Sequence, residues 1–456
     1  MPFRKADRGT AAGPADDAGD HGREDEGQAG RAAQAGLGTI AREWLRIGCI
    51  GFGGPPAHIA LLRQLCVVGR GWLSAEEFED GISVTNLLPG PASTQLAIFC
   101  AWRLAGPAGA LVGGACFIVP GLIVILGLSA LFLAEHPPLA VAGAAAGAGA
   151  AVPAVAAAAA IGLIPASWRR SEPADGTRPG IEQLPAAAGQ RAGGAGGRLR
   201  RNLTWSHARW AGYLVAGGVA GALAGAFLVL VLLACGLIEM AVRRSAADSV
   251  RDRGGADSGG RRGRIASLLP LVLVAPAATG GLLAVAWVAF KVGALSYGGG
   301  FVIIPLMQHD AVQTYHWMTG AQFLSAVALG QVTPGPVVQT VAVVGFAAAG
   351  VGGGLLASLV AFTPSFVFVL AGARHFSALR RNPRVQAFLT GAGPAAIGAI
   401  AGATVPLGLE LAHLWQLGVL GVAALWLILL RRNVALAIAG GAAIGLIAAL
   451  AGAPVG

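Results

Sequence analysis

A single apolar unit occurs twice in this chain, and both copies carry a Pro-Gly-Pro interruption, Pro89-Gly90-Pro91 and Pro334-Gly335-Pro336. Arg46 matches Lys291, Gly53-Gly54 matches Gly298-Gly299, Trp72 matches Trp317 and Phe78 matches Phe323. All share one offset of 245 positions (46 to 291, 72 to 317, 89 to 334) without a gap. Proline within a helix removes a backbone donor and collides with the preceding turn, so each break ends one half-helix and starts another. Unwound backbone at membrane depth is tolerated only where protein buries it or it lines a cavity. Duplicated units with interrupted helices therefore predict a transporter architecture.

Composition fits that class. With 55% hydrophobic and 12% charged residues over 456 positions, the chain reads as an all-α polytopic membrane protein. The 71 glycines suit close helix approach in a membrane bundle. The net charge of +10 is concentrated in blocks: eight arginines between 166 and 210 (169, 170, 178, 191, 198, 200, 201, 209) and seven between 241 and 265. Such blocks between apolar spans mark cytoplasmic loops with anionic lipid as their partner, rather than a nucleic-acid surface. The five cysteines lack metal-ligand spacing and read as packing residues. Neither a metal nor another cofactor is expected.

Residues 1–36 read as a disordered cytoplasmic tail, 37–240 as the first repeat, 241–265 as a basic linker, and 266–456 as a connector helix with the second repeat. Expected apolar segments run at about 39–52, 57–68, 75–103, 107–134, 138–165 and 211–240, and in the same order from 282 to 452. The loop charges alternate oppositely in the two copies. Arg374, Arg380, Arg381 and Arg384 follow the third major span of the second repeat, whereas the matching loop near Glu135 has no Lys or Arg. If basic loops are cytoplasmic, the repeats are inverted and an odd crossing near 267–281 joins them. The expectation is about 10–13 transmembrane segments, with re-entrant hairpins at the glycine breaks as one alternative and a parallel duplication of ten to twelve spans, which leaves the 374–384 charges unexplained, as another.

Each half-helix that follows a break presents unpaired N–H groups and the positive end of a dipole, which suits an anion. Thr94 and Gln95 follow the first break, Gln339 and Thr340 the second, and Asn86 and Gln331 precede them. With the prolines and glycines of both breaks, these are the candidate substrate-binding residues. Their other reading is a packing kink. Arg46 and Lys291 join them as cations that either face a cavity or reach back to the interface. Gly51 to Gly54 and Gly298 to Gly300 form a second backbone opening facing the first, and Gly53, Gly54, Gly298 and Gly299 with His58 and Arg63 are the candidates for coupling or gating. His58 also reads as a hydrogen-bonded packing residue, and the arginines as partners of Glu76, Glu77, Glu79 and Asp80. No carboxylate falls near the middle of a long apolar span; Glu135, Glu239 and Glu410 fall at ends. No nucleophile-base or metal constellation suggests an enzyme. A membrane scaffold would leave the matched polar residues without a purpose.

The runs Ile50-Gly51-Phe52-Gly53-Gly54-Pro55-Pro56-Ala57-His58-Ile59, Trp72-Leu73-Ser74-Ala75-Glu76-Glu77-Phe78 and Leu87 to Gln95, echoed by Ser296 to Pro305, Trp317-Met318 and Thr333 to Pro336, resemble the chromate ion transporter family. The likeness covers roughly 40–165 and 282–408. It implies a two-domain, multi-pass inner-membrane protein that exports chromate, with sulfate as a structural analogue and competing cargo. Self-association into a homo-oligomer is compatible with it. Two places depart from the family pattern: Phe301 and Gln308 stand where many members have a histidine and an acid. With no carboxylate relay in the long spans, the membrane potential is the expected driving force for alternating access.

Overall fold

The breaks divide the chain into helices too short to cross a bilayer alone. In the computed structural model, α1 (Leu37–Ile50) has 14 residues, about 21 Å at 1.5 Å per residue against a hydrocarbon core of about 30 Å. The structure describes residues 35–455, apart from 87, 135, 172–191, 224–226, 252–280, 297–299 and 373–381. The expected tail at 1–34, most of the connector near 267–281, Gly298, Gly299, Arg374, Arg380 and Arg381 lie outside the described residues.

After α1 come α2 (Pro55–Arg63, drawn on as a wider turn to Gly69), α3 (Ala75–Thr85), α4 (Ala92–Phe132), α5 (Leu139–Ser171), α6 (Ala192–Leu223) and α7 (Leu228–Arg251). The second copy supplies α8 (Leu282–Leu295), α9 (Ile304–Gln308, drawn on to Thr314), α10 (Gly320–Val332), α11 (Val337–Gly372), α12 (Pro383–Leu409), α13 (Leu414–Leu429) and α14 (Val434–Leu450). No strand occurs among the described residues. Four helices, α4, α5, α11 and α12, are long and apolar enough to span a bilayer, and shorter apolar helices accompany them. The expected segment at 211–240 divides into the C-terminal part of α6 and the N-terminal part of α7, both of which run beyond it.

The copies repeat each other in backbone detail. Ser74 caps α3 reciprocally with Glu77, and Thr319 caps α10 reciprocally with Gln322. This is the capping box, which satisfies orphan donors at a helix start. α4 reverses direction at Ala105-Gly106 and α11 at Ala349-Gly350, where both glycines take a φ near +60°. Each is thus a half-helix (92–104, 337–348) folded back on a long helix (107–132, 351–372). The offset here is 244 (106 to 350), so the copies differ by one residue upstream of the reversal. α1 presses on the long helix of α4 at Gly48, where a Cβ would lie 2.8 Å from the Phe117 carbonyl oxygen. Its counterpart Gly293 sits even closer to the Ala361 carbonyl.

Equivalent helices run in opposite directions. The C-terminal end of α5 packs on the middle of α6, where Ser206 Oγ donates to the Ser171 carbonyl and Trp210 Nε1 donates to Ser167 Oγ. Arg209 pairs with Glu239 at 2.9 Å, and Glu239 lies against Gly391 near the start of α12. Thus α5 ends at the face where its repeat-mate α12 begins. The outer surface is apolar, with Ile123, Leu359, Leu409 and Leu414 exposed. Serine, threonine and glutamine side chains are buried instead, the inverse of a water-soluble protein and the arrangement a lipid solvent favours.

Candidate functional site

The two breaks meet each other. The Gly90 N–H donates to the Ser296 carbonyl at 2.5 Å, and the Gly335 N–H donates to the Gly51 carbonyl at 3.0 Å. Gly51 and Ser296 are themselves equivalent (51 to 296), each at the C-terminal end of the first half-helix of its copy. The contacts are therefore reciprocal, as a two-fold relation between units requires. Gly90 and Gly335 have φ of +124° and +97°, backbone that only glycine adopts readily.

Around this crossing lies a set of polar side chains sealed from the surface. Thr94, Gln95, Gln339, Ser296 and Ser365 are each at most 3% exposed. Gln95 Nε2 donates to the Pro89 carbonyl at 2.7 Å and Gln339 Nε2 to the Ile118 carbonyl at 2.6 Å, so each amide braces backbone. Among the described residues, the hydroxyls of Thr94, Ser296 and Ser365, the Nε2 of Gln331 and the carbonyl oxygens of Gln95 and Gln339 have no hydrogen-bond partner. A buried polar atom left unmatched costs about 1–3 kcal/mol, and the usual resolution is a bound water or ligand. Three hydroxyls and one amide N–H among these atoms are donors, the chemistry that receives an oxyanion.

His58 ties both copies to this crossing. It is fully buried, its Nε2 lies 2.9 Å from the Gly51 carbonyl, and its Nδ1 lies 3.3 Å from Ser93 Oγ. A carbonyl accepts only, so the proton sits on Nε2 and Nδ1 accepts from the Ser93 hydroxyl. The same Gly51 oxygen receives the Gly335 N–H. The ring also meets Phe117 edge-on at 5.0 Å.

The remaining predicted residues are distributed unequally. Asn86 and Pro89 are exposed and Gly90 is buried; Asn86 and Gly90 line a cavity of about 350 Å³. Pro334 to Thr340 and Gln331 are all buried. Thr340 Oγ1 donates to the Val337 carbonyl. Lys291 is held by Asp310 at 2.5 Å. Arg46 is exposed in a groove with Glu43, Gln64 and Arg70. Neither cation makes a hydrogen bond or ion pair with a break residue among the described residues. Arg63 pairs with Glu79 at 3.1 Å on the surface, and Arg103 pairs with Glu77. Gly53 and Gly54 keep positive φ in the turn before α2.

Sequence reasoning missed Ser296 and Ser365 as members of the crossing, whereas Gly51 belongs to the glycine opening expected to face the break. Ser296 could have been found as the counterpart of Gly51. Ser365 is the counterpart of Gly121 (121 to 365), and each follows a proline, but the one-residue slip between the copies hides that match. Buried Glu43 and Asp310 were missed as well; with Glu239, expected at a span end, they are at most 6% exposed. The first two lie on half-helices rather than on the long spans that drew attention. Each is ion-paired, Glu43 with Arg70 at 2.6 Å and Glu239 with both Arg209 and Arg243.

Comparison with known proteins agrees with the duplicated architecture. The chromate transporter family model matches residues 38–240 and 283–446. The chain is 27% identical over 401 residues to a probable chromate transport protein of Synechococcus elongatus, covering 85% of this chain and 89% of that one. It is 30% identical over 369 residues to a chromate transport protein of Pseudomonas aeruginosa, with 80% and 79% covered. A chromate transport protein of Cupriavidus metallidurans is 27% identical over 379 residues, with 81% and 82% covered. No solved structure matches. A duplicated helical membrane protein whose interrupted helices cross at unmatched buried donors, and whose two halves both match the same family, belongs to the chromate transporter family.

Proposed function

We propose that this protein exports chromate from the cytoplasm across the inner membrane, by alternating access at the crossing of the two Pro-Gly-Pro breaks. The observation that carries the reading is the reciprocal pair Gly90–Ser296 and Gly335–Gly51, set among the unmatched hydroxyls of Thr94, Ser296 and Ser365. A fully deprotonated tetrahedral dianion offers only acceptors, so donors without partners are its natural complement. The half-helices starting at Ala92 and Val337 add the positive ends of their dipoles from the two copies.

The opposed directions of α5 and α12 support inverted repeats, as does the gathering of Arg170, Arg209, Arg243 and Arg384 at one end of the bundle, read as cytoplasmic. The unequal access of the two breaks supports alternation: the first opens to a cavity on that basic side while the second is sealed. Anionic lipid headgroups are the partners of the basic ends.

The membrane potential suffices as a driving force. Moving one charge through ~100 mV is worth about 2.3 kcal/mol, so export of a dianion from a negative interior gains about 4.6 kcal/mol, roughly a thousandfold gradient. Glu43, Asp310 and Glu239 all being ion-paired argues against a proton relay through them. Inside-out vesicles carrying the full chain should accumulate chromate faster under an imposed potential at fixed pH gradient. Equal uptake with and without the potential would sink the driving-force reading, and sulfate that moves while chromate does not would replace the cargo.

A further inference from the structure

Two cavities lie at opposite ends of α5, and their charges are opposite. The first, about 350 Å³, is lined near the C-terminal end of α5 by Ser167 and Arg170, together with Thr85, Asn86 and Gly90 and, from α12, Gly393. The second, about 300 Å³, lies near the N-terminal end of α5 at Pro137 and Ala146, with Thr319, Gln322, Glu410 and Gln416. Among the described residues, Arg170 is the one charged group lining the first and Glu410 the one lining the second. The α5 residues lining them, Ala142 to Gly149 and Leu163 to Arg170, are centred about 30 Å apart at 1.5 Å per residue, so the two cavities belong to opposite faces.

Arg170 is exposed, and its guanidinium meets only the Ala166 carbonyl, at 3.4 Å, with no acid paired to it among the described residues. The first cavity runs from Arg170 inward to Gly90. There the fully buried Ser365 hydroxyl, unmatched among the described residues, lies 3.1 Å from where a Gly90 Cβ would stand. Glu410, by contrast, is braced by Gln308 Nε2 at 3.4 Å and lies against the first residue of α10 at Gly320, so its charge is fixed at the rim of the second cavity.

We propose that these cavities are the two vestibules of the transport path, and that Arg170 and Glu410 set its affinity on each face. Arg170 gathers an oxyanion dianion at the basic face and passes it toward Gly90 and Ser365. Glu410 disfavours rebinding of the same anion at the opposite face. The inference rests on the oxyanion-transport reading above. Fixed charges leave the final gradient unchanged, because that depends only on the driving force. A change of half-saturation at one face therefore comes with a compensating change in the maximal rate from that face, a split that a merely structural role would not separate by face.

The test uses the full chain in proteoliposomes, with chromate presented to one face at a time. Arg170→Gln should raise half-saturation at the basic face about tenfold and leave the other face unchanged, while Arg170→Lys stays close to wild type. Glu410→Gln should lower half-saturation at the opposite face about threefold, less than the arginine effect because the α10 N-terminus already offsets part of its charge. Both differences should shrink at high ionic strength. Arg170→Gln with wild-type half-saturation at both faces, or with equal changes at both, overturns the inference. Wild-type protein that moves no chromate overturns the transport reading instead, and the two failures are told apart by that control.

Discussion

Replacing Gly90 by alanine should disable the first break while leaving the rest of the bundle assembled. At φ +124° an L-residue is strained by about 1–3 kcal/mol. The new Cβ would also stand where Gln95 Nε2 now lies, displacing the hydrogen bond to the Pro89 carbonyl, worth about 0.5–1.5 kcal/mol. Together these give about 1.5–4.5 kcal/mol against the crossing geometry, a reduction of about 10- to 1,600-fold in its population at 1.4 kcal/mol per decade. Gly335→Ala shares the positive φ, but its Cβ would meet only Gln339 Oε1 at 3.3 Å. Its loss should therefore be smaller, about 1–3 kcal/mol. Gly127→Ala, with open space around its Cβ, is the neutral control. Chromate uptake by inside-out vesicles reads function, and thermal exposure of the buried thiols Cys66 and Cys100 to a thiol dye reads folding. Wild-type uptake by Gly90→Ala, or a larger loss from Gly335→Ala than from Gly90→Ala, would refute the argument.

Lys291→Gln should lower stability by about 3 kcal/mol by leaving Asp310 buried without its cation. The double variant Lys291→Met with Asp310→Leu should recover most of it, as the same thiol assay would report. Glu239→Ala should cost about 1–2 kcal/mol, because Arg209 and Arg243 are partly exposed and can turn to water; an unchanged unfolding midpoint would show that the pairings add nothing. His58→Ala, which removes the link from Ser93 to Gly51, should cost about 2–3 kcal/mol and slow uptake, and His58→Gln should recover part by donating to Gly51. Arg46→Gln should keep most chromate flux, since Arg46 lies in a groove without break residues; abolished flux in correctly inserted protein would return that cation to the transport path.

The fold class, the duplication and the position of both breaks were legible in the chain because each rests on local chemistry. Proline in an apolar helix, glycine at positive φ, and a Ser-x-x-Glu or Thr-x-x-Gln helix start act within a few residues and leave a readable pattern. Opposed loop charges likewise gave the expectation of inverted repeats, because lipid asymmetry reads arginine directly. The composition of the crossing was decided only by tertiary structure. Ser296 looks like an ordinary helix end until the other copy's glycine donates to it, and Ser365 is another small residue after a proline until Gly90 lies beside it. The cations divided for the same reason: Arg46 and Lys291 are equivalent in sequence, yet among the described residues only Lys291 finds an acid, because Asp310 stands where the first copy has Leu65 (65 to 310). Sequence determines which groups a half-helix carries. Which of them end buried, paired or unmatched depends on what the opposite repeat brings to the same place, and that is a property of packing between segments some 245 residues apart.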